Sequence, residues 1–169
     1  MSLLKVNEVQ NTSGNADITN VGKVLQVVNS FTSSQVTTTE SDYGSSPTNT
    51  GLSVTLTPSS SSNKVLVVIH ANFAGDGCRI NPLLFRGSTS NRIDFGVGNQ
   101  GLMDYGLFRD GNNAFRFSFM YLDSPSSSSA VTYNLYFSKH GGSGTARFNK
   151  EGGTNQHSIS TMTAMEVAA

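Results

Sequence analysis

Apolar and polar residues alternate with a period of two along most of the chain. Phe115, Phe117, Phe119 and Tyr121 interleave with Arg116, Ser118, Met120 and Leu122, and Val131, Tyr133, Leu135 and Phe137 repeat the pattern. Leu52, Val54 and Leu56 alternate with Ser53, Thr55 and Thr57; Ile159, Thr161, Thr163, Met165 and Val167 carry the alternation toward the end of the sequence. Strand side chains point to opposite faces in turn, so each stretch predicts a half-buried strand. Val24 to Thr39 is β-branched and free of Gly and Pro, which predicts one long strand. Lys64 to Phe73 reads as a central strand, its Val65 to Ile69 run implying burial on both faces. No window carries an apolar period of about 3.6 residues over helical length.

Between these stretches lie turn-forming segments: Ser41 to Gly51 with Pro47, Pro58 to Asn63, the Gly-rich Gly87 to Gly106, Asp123-Ser124-Pro125 with the serines after it, and Gly141 to Gly144. About eight to ten short strands at such spacing predict an all-β fold, an antiparallel β-sandwich or jelly roll. Residues 22–169 form this head. Residues 1–21 read as an extended N-terminal arm, with Leu4, Val6 and Val9 as its apolar contacts. The arm buries too little to offset its own ordering entropy, so it is expected to be either floppy or docked on something else.

Two strands are apolar on both faces. Met120 and Leu122 share the alternate face of the Phe115 strand, and Met162 and Ala164 the alternate face of the last strand. An exposed face of this kind usually marks a partner surface. These four residues are therefore expected at a contact between copies of the chain.

Composition narrows the function. Eleven basic residues balance eleven acidic ones and charge is only 13% of the chain. No basic stripe for nucleic acid is present. Ten Phe and five Tyr in ordered patterns argue for a folded chain despite the wealth of Ser, Thr, Asn and Gly. Cys78 is the sole cysteine, so no intrachain disulfide and no cysteine-rich metal site is expected. The opening residues lack the apolar run of a secretion signal, and Val65 to Ile69 is too short to insert in a membrane.

Candidate chemistry is sparse. Gly96-Val97-Gly98-Asn99-Gln100-Gly101 has the letters of a dinucleotide loop but no amphipathic helix after it, and reads as a plain loop. His70, His140 and His157 stand at no metal-ligand spacing. No Gly-x-Ser-x-Gly elbow occurs, and neither a catalytic residue, a metal nor a cofactor is expected. Tyr43, Tyr105, Phe108, Arg109 and Asn112 lie in or near loops beside carboxylates and amides. That combination of stacking and hydrogen-bonding groups suits contact with a glycan.

Several short motifs carry a resemblance. Leu4-Lys5-Val6-Asn7-Glu8-Val9-Gln10-Asn11-Thr12-Ser13-Gly14 resembles the N-terminal motif of tailed-bacteriophage (cyanophage-like) fibre and virion proteins. Gly22 to Val28, Gly51 to Pro58, Lys64 to Val67, Phe119 to Pro125, Thr132-Tyr133 and Met165 to Ala169 resemble a head domain from the same phages. The resemblance implies a non-enzymatic homotrimer with a jelly-roll-like head, displayed on the virion through its arm and assembled in the host cytoplasm. It implies a short tail fibre or host-adhesion protein, with a capsid decoration protein as the alternative. The partners would then be tail, baseplate or major capsid proteins.

Overall fold

The computed structural model describes residues 22–40, 46–93, 107–109, 114–150 and 157–169; at 107–109 and His140 the description covers the backbone. Ten strands follow one another without a helix among the described residues: β1 (Val24–Thr32), β2 (Val36–Thr38), β3 (Thr48–Leu56), β4 (Lys64–Gly75), β5 (Cys78–Arg86), β6 (Leu107–Arg109), β7 (Ala114–Asp123), β8 (Val131–Gly142), β9 (Ala146–Phe148) and β10 (Ser160–Val167). The arm at 1–21, with Leu4, Val6 and Val9, lies outside the described residues.

The strands form two antiparallel sheets. Sheet A runs β1-β10-β4-β7; beyond the reach of β10, the last residues of β4 pair with the short β9, and β9 with β2. Sheet B runs β3-β8-β5-β6. With β2 and β9 set aside, sheet A holds the first, eighth, third and sixth strands and sheet B the second, seventh, fourth and fifth. Apart from β5 and β6, which follow one another, these neighbouring pairs join non-consecutive strands, as two interlocked Greek keys require. That permutation is a jelly roll.

The core lies between the sheets. Val65, Val67 and Ile69 of β4, Leu52, Val54 and Leu56 of β3, and Tyr133, Leu135 and Phe137 of β8 are all buried and clustered. Phe73 stands at one end among Phe115, Phe117, Phe137 and Phe148, with ring centroids 5.4–6.2 Å apart. At such distances tilted and edge-on rings add to plain area burial.

Three expectations need correction. The predicted strand from Val24 to Thr39 breaks at residues 33–35, so that β1 pairs with β10 while β2 pairs with β9. Leu66 and Val68 are not buried: only Val65, Val67 and Ile69 of that run reach the core. In β10 the faces are reversed. Met162 and Ala164 are fully buried, whereas Thr161, Thr163, Met165 and Val167 point outward. Met162 pairs with Ile69, and Ala164 with Val67, whose side chains both face the core. Neither side chain can reach another copy of the chain.

Candidate interaction face

The outer face of sheet A can be read row by row from the strand register. Val27, Met165, Leu66 and Leu122 line up across β1, β10, β4 and β7. The next row is Asn29, Thr163, Val68 and Met120, and the one after it Phe31, Thr161, His70 and Ser118. Side chains of a row stand about 5 Å apart, so each row is a continuous contact surface. The inward parity of these strands is taken by core residues, which leaves this set to solvent in a single chain.

Apolar exposure concentrates here. Phe31 is 70% exposed, Met120 68%, Val27 58% and Leu122 46%. Val24 joins the face opposite Val167, and Ile159 opens the strand beside it. Leu25, at the bulge of β1, is the remaining large apolar side chain exposed among the described residues. All seven therefore lie on β1 or β7 or at the start of β10. Met120 and Leu122 are exposed on this face, as the alternation of β7 predicts.

Among the described residues the face carries no carboxylate side chain. Its charged side chains are Lys64 at one end and Arg116 at the other, both cationic. Near Arg116 two shallow hollows of about 330 and 220 Å³ adjoin, sharing His70 and Ser118. His70 Nδ1 lies 2.9 Å from Ser118 Oγ, a cross-strand pair that fixes the ring.

The buried acids are structural. Asp123, the last residue of β7, takes both oxygens to Arg86 Nη1 at 3.0–3.1 Å and accepts the Tyr133 hydroxyl at 2.7 Å. The contacts join sheet A to sheet B. Burial first, and then the hydrogen bond and charge of Asp123, push the Tyr133 phenol far above its ordinary value. Glu166 is sealed from solvent near one end of the sandwich. Burial alone would raise its pKa, but hydrogen bonds from Gln26, Ser59 and Asn63 overturn that and hold it at about 2. Burial pushes the Cys78 thiol up, as in a packed rather than a reactive cysteine. No group of three or more His, Cys, Asp or Glu is placed to hold a metal ion among the described residues.

Tyr43, Tyr105 and Asn112 of the expected host-contact set lie outside the described residues, as does the Gly96 to Gly101 loop. Phe108 and Arg109 fall on β6, whose backbone pairs with β5 at Arg79 and Cys78. That places two of the five at an edge of sheet B, away from the face just described.

No family model matches the chain, and no curated protein matches its sequence. Among solved structures it is similar to the VP2 subviral particle of infectious bursal disease virus, at 15% identity and a TM-score of 0.41 over 88% of this chain and 38% of that one. It is similar also to the structure of the Gx strain of that virus, at 14% identity and a TM-score of 0.42, again over 88% of this chain and 38% of that one. The chain thus spans little more than a third of the length of these neighbours. At such TM-scores the likeness bears on neither function nor partner.

Proposed function

We propose that the chain is a non-enzymatic structural protein of a tailed-phage virion, a jelly-roll head that works as a homotrimer. The observation that carries this reading is the apolar outer face of sheet A. A solvated antiparallel sheet normally presents polar side chains on its free face. Here Val27, Leu66, Leu122, Met120 and Phe31 stand in adjoining rows instead. Burial of such a patch is favourable by about 25 cal/mol per Å² of apolar surface, so the isolated chain has a strong drive to associate.

Further support comes from the phage-like motifs of the sequence and from the jelly-roll permutation, an architecture used repeatedly in capsid and lectin domains. Within this reading the head belongs to a short tail fibre or host-adhesion protein, attached through residues 1–21. Many weak sites on one particle would act together through effective concentration.

Sedimentation of the full chain at micromolar concentration tests the assembly, and a trimer mass is expected. A stable monomer overturns it. Antibody labelling of intact particles tests the location. Label confined to the tail fits the fibre, label spread over the shell moves the protein to capsid decoration, and unlabelled particles overturn the virion role.

A further inference from the structure

The exposed apolar side chains of sheet A are unevenly distributed. Val27 and Phe31 stand on β1, and Met120 and Leu122 on β7, which are the two opposite margins of the β1-β10-β4-β7 set. Among the described residues β1 pairs with β10 alone and β7 with β4 alone, so each margin presents a free edge. The two margins are unlike: one pairs an aromatic ring with a valine, the other a thioether with a leucine.

We infer that the β1 margin of one copy packs against the β7 margin of the next, closing a ring of three with the outer faces of sheet A turned toward the axis. This rests on the homotrimer reading above and names the surface that makes it. Two different patches on opposite margins suit a heterologous contact, and such contacts close into rings when the rotation allows. A twofold dimer would instead place each patch against itself.

Charge and size select a second copy as the occupant. Among the described residues the face has no acidic side chain, and its charged ones are Lys64 and Arg116 at its ends. A strongly charged partner would find no complement across its middle, whereas another neutral face fits. Four strands about 4.8 Å apart, each with about eight residues of 3.4 Å rise, give a footprint on the order of 500 Å². The corrugated accessible surface of such a sheet is larger than its footprint. In the ring each copy shares this area between two neighbours, so each contact is smaller than the roughly 800 Å² per partner of a standard pairwise interface and the assembly gains its hold from closure.

Cross-linking of the full chain tests the pairing. Val27→Cys and Met120→Cys are made singly and together, then treated with a short bis-maleimide and run on a denaturing gel. Cys78 is fully buried and leaves the background low. The double variant is expected to give covalent dimers and trimers, while each single variant stays monomeric on the gel. Mixing the two singles is expected to give covalent dimers only. Cross-linking of Met120→Cys to itself, or no cross-links in a protein that still sediments as a trimer, overturns the margin pairing and leaves the trimer intact. A monomeric unmodified chain overturns both.

Discussion

The Tyr133 hydroxyl donates a 2.7 Å hydrogen bond to Asp123 Oδ2 from the opposite sheet. Both residues are buried, and Arg86 completes the group with its side chain 37% exposed. The phenol is fully buried and finds its partner in a carboxylate that is nearly so. Loss of either partner has unequal consequences. Tyr133→Phe removes a donor while Arg86 still holds the acid, and should cost about 1–2 kcal/mol. Asp123→Ala strands a buried hydroxyl, so about 2–3 kcal/mol is expected, moderated because Arg86 regains water. Urea denaturation of both variants checks the order; equal costs would contradict it.

Glu166 makes stability depend on acid. Its carboxyl is held at about 2, below the 4.5 of an ordinary glutamate, so the folded state binds its proton less readily than the unfolded chain. The contribution is complete above about pH 4.5 and is lost as pH falls toward 2. Full loss amounts to about 3 kcal/mol at most. Glu166→Gln should lower stability at neutral pH and flatten the profile between these limits. Thermal unfolding across that range reads the effect, and an unchanged slope in the variant would assign the acid sensitivity elsewhere.

The strands were legible because alternation is a local signal. Phe115 to Tyr121 and Val131 to Phe137 face the core as their period demands. The last strand was not, because both of its parities carry apolar groups and the buried parity also holds Glu166. Its orientation is set by pairing with β1 and β4, contacts more than ninety residues away in sequence. The roles of Asp123 and Glu166 were missed for the same reason. Each is an acid at a core parity, and that mismatch was the available signal. The outer face was half legible: Met120 and Leu122 follow from β7 alone, whereas Val27 and Phe31 join them only through the sheet order.

Asn149 is a knot in the backbone. It is fully buried at a φ of 52°, in the left-handed region, just after β9. Its Nδ2 donates to Thr32 O at 2.9 Å and Ser34 O at 3.3 Å, and its Oδ1 accepts Ser160 Oγ at 2.6 Å. The residue thereby ties the end of β1 to the start of β10. Asn149→Gly keeps the backbone conformation and loses the side-chain bonds, for about 2–3 kcal/mol. Asn149→Ala adds left-handed strain of about 1 kcal/mol. Denaturation midpoints should fall in the order wild type, Gly, Ala; a Gly variant less stable than Ala would refute the strain argument.

Two methionines on the strands that flank β4 separate folding from assembly. Met162 is fully buried between the sheets and Met120 is 68% exposed on the outer face. An aspartate at the first site must shed its water among Ile69, Ala164 and their neighbours without a cation to pair with, a cost of about 4 kcal/mol or more. Met162→Asp should therefore be insoluble or unfolded. Met120→Asp remains hydrated in a single chain, so its unfolding midpoint as a monomer should shift by less than about 0.5 kcal/mol. In the ring its carboxylate would be pressed against the apolar margin of the next copy, weakening assembly on the order of a hundredfold. Circular dichroism and sedimentation read the two effects separately. A Met120→Asp chain that is folded and still assembles with wild-type affinity would remove β7 from the contact.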